Sequence, residues 1–222
     1  MEIYKADIEI PINHIHLYGI LNIPEKAKSL VLFAHGSGSS RFSQRNQHVA
    51  SDLNRAHIAT LLFDLLTPEE EKVDEFTREH RFNIELLSSR LAAATDWLLQ
   101  QSKTQSLAIG YFGASTGGGA ALQAAATRQH IVKAVVSRGG RPDLAGAALS
   151  QVKAPTLLIV GGHDEVVIKM NENAMKEIHA IKKLEIVPGA SHLFEEPGTL
   201  DEVAKLAKEW FIQYLSSSIS EK

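Results

Sequence analysis

A serine stands between two glycines in Gly113-Ala114-Ser115-Thr116-Gly117, and two residues able to serve it, Asp164 and His192, follow in that order. A serine hydroxyl is too weak an acid to attack a carbonyl carbon unaided, so a neighbouring base must accept its proton. His192 has the right chemistry for that base. Asp164 could hold the imidazole tautomer and steady the imidazolium as it forms. Attack leaves negative charge on the carbonyl oxygen, which calls for preorganised N–H donors. The amide of Thr116, directly after the serine, is one candidate. The run His35-Gly36-Ser37-Gly38 offers the second, from Ser37 or, next in order, Gly38.

Such residues work only if the chain brings them together. Residues 107–112 form an apolar run and residues 116–126 are rich in Ala and Gly, so Ser115 should sit on a sharp strand-to-helix turn. Gly113 and Gly117 would be there because a Cβ at either place has no room. Further apolar runs at 30–34, 58–63, 134–137, 155–160 and 184–187 predict strands, the early ones buried on both faces as in a parallel sheet. Helical spacing predicts helices over 44–55, 81–101 and 168–181. In the first, Val49 and Leu53 turn inward; in the last, Met170, Ala174, Ile178 and Ile181 do. The closing helix carries a stripe of Leu200, Val203, Ala207, Trp210, Phe211 and Tyr214, opened by a capping box of Thr199 and Glu202; from 216 a polar tail follows. Residues 3–10 and 15–23 alternate apolar with polar and predict an antiparallel hairpin. Residues 64–80, with Pro68 and the run Glu69-Glu70-Glu71, read as a charged, solvated loop with at most a short helical turn.

Strands alternating with helices specify a three-layer α/β fold: a mostly parallel, twisted sheet of about eight strands, helices on both faces, and the hairpin at one edge. In such sheets ligands bind beyond the carboxyl ends of the strands, where His35-Gly36-Ser37-Gly38, Ser115, Asp164 and His192 all fall. With these motifs in the order Ser, Asp, His, the sequence resembles the α/β-hydrolase superfamily over essentially the whole chain, and within it small dienelactone-hydrolase-like proteins. The resemblance implies hydrolysis of carboxylic esters through an acyl-enzyme, without cofactor or metal. Thioester or peptide hydrolysis and acyl transfer use the same apparatus, and a non-catalytic binding module could keep the fold. Two departures stand out. That family characteristically uses a cysteine nucleophile, and this chain has no cysteine, which weakens the case for lactones. The stretch between Ser137 and Pro155 is also too short to build a cap, so a single domain over 1–222 with an open site is expected.

The remaining residues are less specific. Arg138 and Arg141 in Ser137-Arg138-Gly139-Gly140-Arg141-Pro142-Asp143, together with Arg41, should face the pocket mouth, where a guanidinium could take a substrate carboxylate bidentately. Salt bridges to Asp143, Glu195 or the acidic loop are the competing use. Asp164 could instead cap a helix, and His192 could be a structural loop residue. His35 reads as a packing residue of its glycine loop, and His14 and His16 as solvent-facing edge residues rather than metal ligands. The net charge of −3, with no long basic run, argues against nucleic acid. No apolar stretch is long enough for a membrane span. The charged N-terminus lacks the apolar core of a secretory signal, so the expected location is cytoplasmic. The expected partner is a small ester, with homodimerisation through the hairpin edge or the terminal helix as a further option.

Overall fold

The computed structural model describes residues 2–216. Two antiparallel strands, β1 (Ile3–Ile12) and β2 (Ile15–Pro24), lead into β3 (Ser29–Ala34), α1 (Gln44–Arg55), β4 (Ile58–Phe63), α2 (Pro68–Thr77) and α3 (Ile84–Leu98). Then come β5 (Ala108–Ala114), α4 (Thr116–Thr127), β6 (Val132–Arg138), a 3₁₀ segment (Pro142–Gln151), β7 (Thr156–Gly161), α5 (Glu165–Glu177), β8 (Lys182–Val187) and α6 (Thr199–Leu215). The eight strands form one sheet in the order β1-β2-β4-β3-β5-β6-β7-β8. The hairpin and its pairing with β4 are antiparallel and every later pair is parallel.

The inner strands β3 to β7 are buried on both faces because helices cover both. Alternate residues of β3 divide between two cores: Leu30, Leu32 and Ala34 pack toward α3 and α4, while Val31 and Phe33 pack toward α1 and α6. The inward stripes of α1, α3 and α6 are those the spacing predicts, with Val49, Leu53, Leu87, Leu91, Leu98, Val203 and Phe211 all buried.

Four expectations need correction. Residues 64–80 are not mainly loop: they contain α2, ten residues long, whose Thr67 hydroxyl accepts from the Glu70 amide while Glu70 answers the Thr67 amide. Glu70 is therefore structural, not idle surface. That capping box, with Pro68 at the first helical position, was a readable signal. The capping box expected at Thr199 and Glu202 does not form. Gly198, at φ 80°, is the N-cap, and the Thr199 hydroxyl donates instead to the Glu196 carbonyl. The helix expected over 168–181 begins earlier and ends at Glu177, so buried Asn171 replaces Met170 on its inner face and Ile181 is exposed. The helix expected over 81–101 is shorter, starting from an Asn83 cap whose side chain accepts the Leu86 amide. Of the polar tail, residues 217–222 lie outside the described residues.

Candidate active site

Close packing shapes the turn at Ser115. A Cβ on Gly117 would collide with the Ala34 carbonyl and stand 2.6 Å from that of His35, and one on Gly113 would stand 2.6 Å from Gly118 Cα. The chain can turn from β5 into α4 here only with hydrogen at both positions. Ser115 itself takes φ 52°, ψ −122°, a sparsely populated conformation for a residue with a side chain. The surroundings hold it there: its amide donates to the Arg138 carbonyl at 3.2 Å, and its carbonyl accepts from Gly118 and Arg141.

The same contacts bring the glycine loop after β3 against the serine. A Cβ on Gly36 would lie 3.1 Å from Ser115 Cβ. Beyond it the chain makes a β-turn, closed by the Ser39 amide on the Gly36 carbonyl, with Gly38 at φ 68°. His35 anchors the loop from below as the reading expects. It is buried; Nδ1 donates to the Gly36 carbonyl and Nε2 accepts the Leu65 amide. Burial lowers its pKa, which keeps the ring neutral in that tautomer. Thr116, as the first residue of α4, has an amide outside the helix's own ladder, and both it and Ser37 line one cavity.

Asp164 and His192 meet. His192 Nδ1 lies 2.6 Å from Asp164 Oδ2. Asp164 is the N-cap residue of α5 by position, yet its side chain caps nothing; the carboxylate goes to the histidine. The loops that carry them are joined through backbone. His163 donates to the Ala190 carbonyl at 2.9 Å and Gly162 to that of Val187 at 2.8 Å, while a Cβ on Gly161 would stand 2.5 Å from Ala190 O. The Glu196 carboxylate accepts the Ser191 amide, which holds its pKa down and ties the loop back on itself. His192 packs over Gly139, where a Cβ would come 3.6 Å from its Cε1. Gly139 follows Arg138, the strand neighbour of Ala114, so the histidine loop lies beside the serine turn.

The cavity has a volume of about 690 Å³ and is walled by the glycine loop, Ser40, Phe42, Ser43, Leu66 and Leu87, and by Glu71, Asp74, Glu75 and Arg81 from α2 and the loop after it. The missed helix is thus a wall of the site. Burial would raise the Asp74 carboxyl, but hydrogen bonds from the Arg81 and His80 amides and the Arg81 guanidinium outweigh it and hold it low. Glu71 moves the other way, raised by burial and by the charges of Asp64, Glu75 and Asp74.

The arginines divide. Arg41 pairs with Asp64 and lies against the rings of Tyr18 and Phe42, and Arg141 pairs bidentately with Asp143; neither lines this cavity. The competing structural use holds for both. Arg138 is neither exposed at the mouth nor paired with a carboxylate; it is buried. The sequence does not single out Glu71 and Arg81, which line the cavity because α2 and the loop after it pack there. Among the described residues no group of three or more His, Asp or Glu side chains is placed to hold a metal ion, and no helix is long and apolar enough to cross a membrane.

A family model described as the dienelactone hydrolase family matches residues 40–216. The chain belongs to that family. Ser115 stands at the strand-to-helix turn within the matched residues. A crystal structure of a dienelactone hydrolase from Anabaena variabilis is 59% identical, covers 97% of this chain and 100% of its own, and superposes with a TM-score of 0.95. Est1E from Butyrivibrio proteoclasticus, at 18% identity over 95% of this chain and 99% of its own, has the same fold with a TM-score of 0.79. A Mycobacterium tuberculosis protein provisionally named a phosphoribosyl transferase is 57% identical over 209 residues, 94% of this chain but 46% of that protein. The chain therefore spans about half the length of the curated relatives it matches.

Proposed function

We propose that this hydrolase cleaves small carboxylic esters through an acyl-enzyme, with Ser115 as nucleophile, His192 as base and Asp164 as the carboxylate that orients it. The observation that carries this reading is the 2.6 Å contact between His192 Nδ1 and Asp164 Oδ2, which leaves Nε2 as the nitrogen to take the serine proton. With Nδ1–H donating to the carboxylate, the imidazolium formed on proton transfer is stabilised where it forms. The same imidazolium then protonates the departing alkoxide, and water repeats the sequence to release the acid. Thr116 N–H and Ser37 N–H are the donors for the oxyanion, each worth about 3–4 kcal/mol of barrier; Gly38, at a positive φ, gives the turn its shape. The serine fits ordinary esters. A cytoplasmic location suits a chain without cysteine.

The test is labelling with a fluorophosphonate and turnover of p-nitrophenyl acetate in the wild type and in Ser115→Ala. Labelling confined to Ser115, and a loss of kcat on the order of 10⁴-fold or more in the variant, is the expected result. A folded wild type that neither labels nor turns over would make the chain a binding module.

A further inference from the structure

Among the described residues Arg138 is a buried cation with no counter-ion. It is only 7% exposed. Nη2 reaches the neutral Asn46 Oδ1 at 3.5 Å, the far limit of a hydrogen bond, and Nε is buried without a partner. The Phe194 ring is 5.9 Å away. Burial, with the charge of nearby Arg45 adding to it, pushes the guanidinium down to about 10, which still leaves it charged at neutral pH. Arg90, equally buried, is answered by both carboxylate oxygens of Glu70 and by the Leu65 carbonyl. Nothing of that kind answers Arg138, although an uncompensated buried ion is costly.

Arg45 shows a milder deficit. Its Nε is buried and unpartnered, and its one carboxylate among the described residues, Glu195 on the histidine loop, is 3.5 Å from Nη1. Arg45 and Asn46 belong to the first turn of α1, a twelve-residue helix whose first turn holds no acidic side chain and whose positive dipole end faces the same place. Arg45 is partly exposed, whereas Arg138 is buried. Phe194 and Glu195 come from the loop that carries His192, and Gly139, next to Arg138, is the residue His192 packs over.

We propose that Arg45 and Arg138 form an anion site on the histidine-loop side of the serine, taking a carboxylate or phosphate group between the two guanidiniums and the first turn of α1. Guanidinium N–H groups match the oxygens of either anion. Where the anion is carried on an ester, the inference rests on the hydrolase reading; where it binds free, it does not.

The test titrates inorganic phosphate, and separately succinate, into the full chain at ionic strength held constant with sodium chloride. Thermal midpoint and calorimetric heat are read in the wild type, Arg138→Met and Arg45→Gln. A saturable rise in midpoint with one or both anions is expected, weakened at least about tenfold in each variant. Without anion, Arg138→Met should unfold no earlier than the wild type, because the substitution removes an unanswered charge. If that variant does not fold, Arg45→Gln carries the test. The proposal is overturned if neither anion exceeds chloride in the wild type, or if the folded variants respond as the wild type does. Phosphate without succinate, or the reverse, identifies the source. The ratio of turnover of p-nitrophenyl hemisuccinate to that of p-nitrophenyl acetate should fall in Arg138→Met. Anion binding in a protein with no ester turnover would keep this site and overturn the hydrolase reading.

Discussion

On one side of the candidate site, the loops bearing Asp164 and His192 are joined by backbone hydrogen bonds and by a glycine with no room for a side chain. On the other, α2 is moored by arginine–carboxylate pairs: Glu70 to Arg90 and Asp74 to Arg81, with Arg41 to Asp64 just before the helix. The only buried residue of α2 is Asp74, and Phe76 is almost fully exposed. Backbone bonds carry no net charge and respond little to salt or pH. Ion pairs respond to both. The side that carries Asp164 and His192 is thus built to stay still, and the side that walls the cavity is attached by contacts that solution conditions can weaken.

The largest effect should come from breaking the first seam. Gly161→Ala forces a Cβ against Ala190 O, and we expect a loss of about 2–4 kcal/mol of stability and of about 100-fold in turnover, read by thermal unfolding and kcat. Unchanged turnover would mean that this seam does not hold the histidine in place.

Unmooring the second side should cost less. Arg90→Met leaves Glu70 unpaired, but Glu70 is partly exposed, so about 2 kcal/mol is expected. Hydrogen exchange should rise in residues 66–80 and stay level in residues 161–164 and 188–192; a uniform rise would erase the contrast. Acid should act on the same side. Burial tends to raise Glu70, but its bonds to Arg90 and to the Thr67 amide outweigh this, so it titrates low, as Asp74 does. Stability from such carboxylates is complete above the ordinary carboxylate range near pH 4 and is lost as pH falls through their lowered folded values. Below about pH 4, exchange in α2 should therefore outrun that in the loop joining β7 to α5.

The smallest expected effect concerns charge. Glu71 and Glu75 give the cavity a negative wall. Glu71→Gln combined with Glu75→Gln should lower KM for an acidic ester about 2–5-fold and leave a neutral ester unchanged, measured by steady-state kinetics. Equal changes for both esters would show that the wall acts by shape alone.

What could be read in advance follows from how local each signal is. Gly113 and Gly117 announce the turn because the steric demand on them is set within five residues, and the strand runs announce the sheet because burial on both faces leaves a continuous apolar stretch. Helix ends were read less well. At Thr199 the box residues were present but the chain entered through Gly198 instead; at Thr67 a real box was overlooked beneath a run of charge.

The sequence by itself determined the fold, the serine turn and the order Ser115, Asp164, His192, because hydrophobic period and glycine sterics act over a few residues. Only the tertiary structure decided which arginines are free. Arg41, Arg138 and Arg141 are alike in sequence, each a cation beside a glycine- or serine-rich loop. Asp64 and Asp143 neutralise two of them, whereas the third is enclosed by Asn46, Phe194 and another arginine. Asn46 and Phe194 lie 92 and 56 residues from it along the chain. Whether a charge is answered depends on neighbours that folding supplies, and among the described residues folding supplied Arg138 with no carboxylate.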